Sequence, residues 1–199
     1  MWWQRLINNN GAIRGIIQAS SGSNVSYIRE QNLCLSNTNM CQALDTPDVI
    51  IILGGTNDFS HTPALLGTYD GTGDFPTNND NFSNAYALML NRILTSYPNA
   101  TVFCCGIPAF VRTNLDKTKP EQNTETNGEH KTIVDYSNKI KRIAEMFNCQ
   151  YIDMNECGYN RTDYYPTYCQ DSSTNSTHPN AKGQEVIFKC IEKKILNVY

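Results

Sequence analysis

A short polar segment that follows an apolar run offers the first candidate chemistry. Gly54-Gly55 comes directly after the run at 48–53, and Thr56-Asn57-Asp58 follows it. A glycine turn would let the backbone leave a strand and would present Asn57 at its carboxyl end. The Asn57 amide carries two donors, and one donor aimed at a developing oxyanion can contribute roughly 3 kcal/mol in a transition state. The alternative is a plain loop in which Asn57 and Asp58 bind their own backbone, and position alone does not separate the two.

A histidine ahead of the last predicted helix is the second candidate. His178 lies in the segment 175–183, where a loop enters that helix. An imidazole oriented by a third group can act as general base for a serine nucleophile, and the alternative is a capping or surface histidine. The other two histidines, His61 and His130, lie in polar stretches. His61 follows Asp58 closely enough to line the same site.

Alternating strands and helices would position these residues. Apolar runs predict strands at 13–19, 48–53, 101–107 and 150–154, and helical spacing predicts helices at 2–9, 24–31, 83–97, 131–148 and 181–197. The run at 48–53 is typical of a parallel strand that is buried on both faces. The alternation predicts an α/β fold with a flavodoxin-like parallel sheet between two helical layers, in which ligands bind beyond the carboxyl ends of the strands. Sites are expected after Ala19, Leu53, Ile107 and Met154.

Composition sets limits on the class of protein. The 199 residues suit one domain, and 40% hydrophobic and 18% charged residues are ordinary for a globular chain. A net charge of −3 gives no electrostatic case for nucleic acid or an anionic membrane as partner. No apolar run approaches the roughly 20 residues of a membrane span, and the first residues do not read as a signal peptide. The compartment stays open, and no metal or organic cofactor is implied.

Eight cysteines raise the question of disulfides. Cys104, Cys105 and Cys149 lie in or beside predicted strands, where a free thiol behaves as a small hydrophobic group. The chain contains no Cys-x-x-Cys pair, so the sequence does not indicate a structural zinc site. We expect mostly free thiols, with Cys34/Cys41 and Cys157/Cys169 as the best candidate pairs, although connectivity cannot be read from spacing.

Taken together, the segments resemble a family. Gly55-Thr56-Asn57-Asp58 matches the Gly-x-Asn-Asp block of the SGNH (GDSL-like) hydrolases, and His178-Pro179-Asn180 with Gly183 resembles their C-terminal histidine block. The flanks agree too, with 81–86 opening a helix, Tyr97-Pro98 closing it, and a similar next helix at 136–144. The resemblance extends from about residue 2 to 196. It implies a serine esterase or acylhydrolase fold that needs no cofactor.

The resemblance also implies roles for individual residues. Asn57 would donate to the oxyanion, the backbone N–H of Gly22 would be a second donor, and His178 would be the base. The family's aspartate three residues before the histidine is replaced by Asn175, which can orient an imidazole but cannot stabilise imidazolium by charge; Asp171 could fold back to supply the carboxylate. The long polar segment 60–82 would shape an acyl or sugar pocket, with Asp58, His61, Tyr69 and Phe75 as candidate substrate-binding residues.

The nucleophile is the largest departure from the family pattern. The Gly-Asp-Ser block of the family precedes a segment like Trp3-Gln4-Arg5-Leu6, and here only Met1 and Trp2 stand before it. Nearby serines at 20, 21 and 23 fall in the position of the glycine block instead. We therefore expect the domain to be N-terminally incomplete with a central strand missing, or the gap to be filled by domain swapping or edge pairing in a homodimer.

Two functions follow from this interpretation. The first is hydrolysis of a small carboxylic ester, a lipid or an O-acetylated carbohydrate by the full-length domain, with negligible activity in residues 1–199 alone. The second is a non-catalytic domain that binds a carbohydrate or other ligand, which Asn175 fits slightly better. A flavodoxin-like nucleotide binder shares the sheet, but no P-loop and no Gly-x-Gly-x-x-Gly follows a strand.

Overall fold

The computed structural model describes residues 1–11, 15–26, 35–36, 41, 46–60, 65–108, 127–159, 167–168 and 178–198. Four of the predicted helices and three of the predicted strands are present. In chain order the helices and strands are α1 (Trp2–Asn9), β1 (Val49–Ile52), α2 (Thr56–Ser60), α3 (Phe82–Ser96), β2 (Thr101–Cys105), α4 (Ile133–Met146), β3 (Gln150–Ile152), a π-helical turn (Asn155–Tyr159) and α5 (Ala181–Leu196). No helix in these ranges is both long and apolar enough to cross a bilayer.

The three strands form one sheet in the order β1-β2-β3. β1 and β2 pair in parallel, with Val49 opposite Thr101 and Ile52 opposite Cys104. A parallel pair requires a crossover connection, and α3 lies in the chain between the two strands. The predicted α/β fold with a parallel sheet is therefore confirmed.

β1 is less buried than its sequence predicts. Val49, Ile50 and Ile51 are only half-buried, and Ile52 alone is buried, whereas β2 is buried from Val102 to Cys105. The difference follows from position, because within the described ranges β1 is at the edge of the sheet and β2 is between two strands. The prediction of burial on both faces was therefore wrong for this strand.

The predicted strand at 13–19 is not formed in the part that the structure describes. Residues 15–20 carry neither helix nor strand, and Ile16 and Ile17 are 44% and 48% exposed. A strand needs a ladder partner, and among the described residues the sheet offers this segment none. The predicted helix at 24–31 lies mostly outside the described residues.

The chain divides into two compact units. One comprises Met1–Ile16, Pro108–Glu125 and Ile152–Tyr199, and the other comprises Ile17–Ile107 and Thr126–Tyr151. In the first unit α1 contacts α5, where the Trp2 N–H donates to Gln184 Oε1 at 3.0 Å and Asn10 Nδ2 donates to Glu192 Oε1 at 3.1 Å.

A disulfide in the first unit corrects one prediction. Cys157 pairs with Cys190, with their Cα atoms 5.5 Å apart, and so links the π-helical turn to α5. The spacing of Cys157 and Cys169 suggested a local pair, but the fold brings a residue 33 positions away to Cys157. Cys34 and Cys169 lie outside the described residues. Cys104, Cys105 and Cys149 are free, as predicted.

An aromatic cluster forms the centre of the second unit. Phe82, at the start of α3, lies 4.9 Å from the Tyr136 ring of α4 and 5.7 Å from the Tyr86 ring. Phe59 of α2 contacts the same Tyr136 ring edge-on at 5.6 Å. All four side chains are completely buried, so this cluster joins α2, α3 and α4 into one core.

A reciprocal hydrogen-bond pair starts α4. Asp135 N–H donates to Thr132 Oγ1 at 3.2 Å, while Asp135 Oδ2 accepts from Thr132 N–H at 2.7 Å. Two backbone donors of the helix start are thereby satisfied. We expect Thr132→Ala to lower the free energy of unfolding by about 1 kcal/mol in urea titrations. Thr77→Ala, at an exposed loop threonine, is the control, and an equal loss in both variants would contradict the capping role.

Candidate active site

A tight turn carries the chain from β1 into α2. Gly55 has φ +110°, and a Cβ placed on it would lie 3.0 Å from both Ile107 Cδ1 and Phe82 Cε2. Only glycine fits this conformation and this spacing comfortably. The Phe59 N–H then donates to the Gly55 carbonyl at 3.0 Å and closes the first turn of α2. The predicted glycine turn after the strand is present, and the short helix that follows it was not predicted.

Asn57 lies in the first turn of α2 with its amide fixed by a neighbouring segment. Its Nδ2 donates to the Ser23 carbonyl at 2.8 Å, and the residue is half-buried. One hydrogen bond from Nδ2 sets the plane of the amide and leaves a second N–H on the same nitrogen. Among the described residues, no partner is found for that second N–H. An oriented amide donor of this kind is what stabilisation of an oxyanion requires.

Gly22 lies in the turn that ends at the carbonyl bound by Asn57. The Ser23 N–H donates to the Ser20 carbonyl at 3.2 Å, and Ser23 Oγ donates to the same oxygen at 2.7 Å. Gly22 has φ +76°, which this turn demands and which a residue with a Cβ rarely adopts. Gly22 and Asn57 were predicted to share a site. The fold places the turn that contains Gly22 in one hydrogen-bonded network with Asn57.

Asp58 occupies a different place from the one predicted. Its side chain is completely buried, so it has no surface on which to contact a substrate. Oδ2 accepts from Val25 N–H at 2.8 Å and Oδ1 accepts from Ser26 N–H at 2.9 Å, and the Ser26 hydroxyl also donates to Oδ1. Burial raises the pKa of the Asp58 carboxyl, and the donors of Ser26 and Val25 oppose that shift. The predicted role in binding substrate directly was therefore wrong.

His178 lies at the start of the segment that enters α5. The side chain of Asn180 caps that helix, accepting from Lys182 N–H at 2.9 Å and Gly183 N–H at 3.0 Å. The Asn180 N–H donates to the Tyr168 carbonyl at 2.7 Å, which fixes the backbone two residues after the imidazole. His178 itself is exposed and thus open to solvent and ligand.

The residues predicted to orient His178 lie outside the part of the chain that the structure describes. Asn175 and Asp171, the candidates for orienting the imidazole, lie outside the described residues, as does His61. His178 belongs to the unit that contains Ile152–Tyr199, whereas Asn57 and Gly22 belong to the other one. That His178 acts on the same ester as Asn57 therefore stays a prediction.

Tyr69 and Phe75 lie along α4 in the segment between α2 and α3. Their rings are 6.1 Å apart, and Phe75 contacts Phe147, just after α4, at 6.3 Å. Lys139 Nζ of α4 donates to the Tyr69 carbonyl at 3.1 Å. Tyr69 lines a cavity of about 400 Å³ whose other lining residues are Thr68, Asp70, Thr72, Asp74, Pro76 and Asn84. This lining is largely polar.

Buried thiols are poor candidates for a nucleophile. Cys105 ends β2 at the same sheet edge as the Gly54-Gly55 turn, but it is completely buried. Desolvation raises the pKa of its thiol to about 12, so the reactive thiolate is essentially absent at neutral pH. Within the described ranges no three or more His, Cys, Asp or Glu side chains form a group that could hold a metal ion.

Sequence reasoning missed Ser23, Val25 and Ser26 as parts of this network. They contribute a backbone carbonyl, two backbone N–H groups and one hydroxyl, and backbone groups leave no signature in residue types. The sequence placed the serines at 20, 21 and 23 at the position of the glycine block, but nothing local indicated that α2 binds this segment.

Comparison with known proteins adds a family and a fold. The sequence profile of the GDSL-like lipase/acylhydrolase family matches residues 1–186. A search of curated proteins found no significant match. A solved structure from Lactobacillus plantarum is 18% identical with a TM-score of 0.77, covering 100% of this chain and 88% of that one.

Two further structures belong to hydrolases. LAE5, an alpha/beta hydrolase enzyme from the metagenome of Lake Arreo in Spain, is 17% identical with a TM-score of 0.61, covering 97% of this chain and 78% of that one. A peptidoglycan O-acetylesterase is 12% identical with a TM-score of 0.54, covering 76% of this chain and 37% of that one. At these identities the likeness concerns the fold.

Proposed function

This chain belongs to the GDSL-like lipase/acylhydrolase family, and from that membership we propose that it provides the oxyanion site and the general base of a carboxylic ester hydrolase. The flavodoxin-like α/β fold of the SGNH hydrolases, which the sequence predicts, is confirmed by the similarity to solved structures. The observation that carries the proposal is the Asn57 amide, which the Ser23 carbonyl orients at the turn after β1.

The proposed reaction is acyl transfer through a serine ester. A serine hydroxyl attacks the ester carbonyl, and His178 Nε2 takes its proton. The carbonyl oxygen becomes an oxyanion that accepts hydrogen bonds from Asn57 Nδ2 and the Gly22 N–H. Collapse expels the alcohol, which takes the proton from the imidazolium; water then repeats the sequence and releases the acid.

Two residues, Asn175 and Asp171, are candidates for the group that orients the His178 imidazole. Asn175 would hold the His178 imidazole through a hydrogen bond but would not stabilise its charged form, and Asp171 would do both. In a serine protease triad, replacement of aspartate by asparagine lowers kcat by about 10⁴. An enzyme that relied on Asn175 alone would therefore be slow. A slow site is compatible with the alternative function, a non-catalytic domain that binds a carbohydrate.

We propose an acetylated carbohydrate as the favoured class of substrate, ahead of a lipid. The polar cavity beside Tyr69 offers three hydroxyls, two carboxylates and an amide, which match the hydroxyl groups of a sugar. The similarity to a peptidoglycan O-acetylesterase points in the same direction. The serine mechanism proposed here uses no metal ion and no organic cofactor.

Residues 1–199 alone allow a first test. We expect their turnover of p-nitrophenyl acetate to equal the buffer rate, because Asn57 and His178 supply no nucleophile. Labelling with a fluorophosphonate probe and mass spectrometry should find no serine adduct. Turnover that disappears in a His178→Ala variant, or an adduct on a serine at 20, 21 or 23, would contradict the expected lack of a nucleophile.

The oxyanion site can be tested without catalysis. Acetate is the product of an acetyl ester, and its carboxylate can accept the same two hydrogen bonds. In ¹⁵N-edited NMR spectra we expect acetate to shift the Asn57 side-chain and Gly22 backbone amides in a saturable way, and Asn57→Ala to abolish the shift at Gly22. Absence of any saturable shift in the unsubstituted chain would count against the proposed function.

The non-catalytic alternative has its own discriminating observation. The coding sequence upstream of Met1 either encodes Gly-Asp-Ser in frame or does not. If it does, the longer protein should hydrolyse p-nitrophenyl acetate. If it does not, a domain that binds an acetylated sugar without cleaving it becomes the better interpretation.

A further inference from the structure

Asp58 is a buried carboxylate whose described partners are all uncharged. It is completely buried, and it accepts from the backbone N–H groups of Val25 and Ser26, from the Ser26 hydroxyl and from its own backbone N–H. Among the described residues no lysine, arginine or histidine pairs with it. Removing a carboxylate from water without a counter-charge is costly, so its presence calls for a reason other than stability.

The location of these donors suggests that reason. Asp58 holds Val25 and Ser26, while its neighbour Asn57 holds the Ser23 carbonyl at 2.8 Å. Two adjacent residues of α2 therefore fasten both ends of the segment 23–26. Gly22, which carries the second predicted oxyanion donor, directly precedes that segment.

A carboxylate is the group that this geometry requires. Its two oxygens accept from two N–H groups 2.8 and 2.9 Å away, and Oδ1 accepts the Ser26 hydroxyl as well. An asparagine in its place has one acceptor oxygen and would turn an NH₂ donor toward one of these N–H groups. Val25 and Ser26 are themselves buried, so a donor that lost its acceptor would not be satisfied by bulk water.

We propose that Asp58 is a positioning residue of the oxyanion site, which holds the segment 23–26 so that the Gly22 N–H and Asn57 Nδ2 face the same oxygen. This inference rests on the proposed function, since it assigns Asp58 to the same site. Asp58 does not touch the substrate. It acts by fixing the spacing between the two donors that do.

The test compares two substitutions with one control. Asp58→Asn removes one acceptor, Ser26→Ala removes only the hydroxyl donor, and Asp48→Asn neutralises an exposed carboxylate ten positions earlier. The acetate dissociation constant is measured from the NMR shifts of Asn57 and Gly22, and hydrogen exchange is measured at the Val25 and Ser26 amides. Thermal melting of each variant reports stability separately.

We expect Asp58→Asn to weaken acetate binding about tenfold at a temperature where the variant is folded, and to speed exchange at Val25 and Ser26 by a similar factor. Ser26→Ala should show a smaller change of the same kind, and Asp48→Asn should show none. If Asp58→Asn does not fold, Ser26→Ala carries the test through the same two measurements.

Two failures are distinguishable. If the unsubstituted chain binds acetate and the folded Asp58 and Ser26 variants bind it equally well, Asp58 is merely structural and the inference is overturned, whatever the melting temperatures. If the unsubstituted chain shows no saturable shift at Asn57 or Gly22, the proposed oxyanion site itself fails, and the positioning role falls with it.

Discussion

Replacement of His178 by asparagine is expected to lower kcat for p-nitrophenyl acetate, by on the order of 10⁶ where Asp171 completes the triad and by about 10² where Asn175 takes its place, in a form of the protein that joins a Gly-Asp-Ser block to residues 1–199. The reason is that a serine hydroxyl is a weak nucleophile until a base takes its proton. His178 is exposed and its backbone is held by the Asn180 cap, so the substitution should leave the fold intact. Steady-state kinetics with burst-phase analysis would measure the loss.

His130 provides the matched control. It is also exposed, and its backbone is left-handed with φ +58°, a conformation that asparagine tolerates well. His130→Asn should therefore keep kcat. Asn57→Ala should lower kcat by about 10²–10³, the usual loss of one oxyanion donor. A His178→Asn variant that retained most of its activity would show that another group is the base.

The four longer helices and the three strands of the sheet could be predicted because their signals are local. The spacing of Tyr86, Leu90 and Ile93 puts apolar side chains on one face of α3, and the structure buries all three. Val102 and Phe103 are buried in β2 as their run of apolar residues predicts. In these segments the neighbours along the chain decide the conformation, since each pattern repeats with the period of its element.

The remaining parts depend on partners distant in the sequence. The apolar residues Ile16 and Ile17 suit a strand, but without a described ladder partner they are exposed. Cys157 has Cys169 nearby in sequence, yet the fold offers it Cys190. Such choices are made by tertiary contacts, and residue types within a short window do not contain that information.

The candidate site shows the same division. The Gly55 turn and the position of Asn57 follow from the sequence pattern. The apolar run at 48–53 predicts a strand, and Gly54-Gly55 marks its end, so Asn57 is expected just beyond its carboxyl end. That Asn57 binds the Ser23 carbonyl does not follow, since the two residues are 34 positions apart. The prediction for Asp58 was wrong for a related reason. A carboxylate beside a predicted site suggested contact with a ligand, whereas Asp58 is buried and accepts three hydrogen bonds from Val25 and Ser26.

The largest loss of stability is expected from Phe82→Ala, which should lower the free energy of unfolding by about 3–5 kcal/mol. Phe82 is completely buried, and its ring lies 4.9 Å from that of Tyr136 and 5.7 Å from that of Tyr86. Truncation removes buried apolar surface and leaves a cavity between α3 and α4 that rigid neighbours fill only partly. Urea unfolding should show a lower midpoint with an unchanged slope.

Phe75→Ala is the matched control for this loss. Phe75 also contacts two aromatic rings, those of Tyr69 and Phe147, but it is 42% exposed, so its truncation should cost about 1 kcal/mol or less. The Phe82 ring also approaches the site, because its Cε2 lies 3.0 Å from where a Gly55 Cβ would be. A Phe82→Ala variant should therefore shift the Asn57 side-chain amide in NMR spectra, whereas Phe75→Ala should not. Equal losses of stability in the two variants would show that the cluster around Phe82 is not the centre of the core. An unchanged Asn57 amide signal in Phe82→Ala would show that other contacts hold the Gly55 turn.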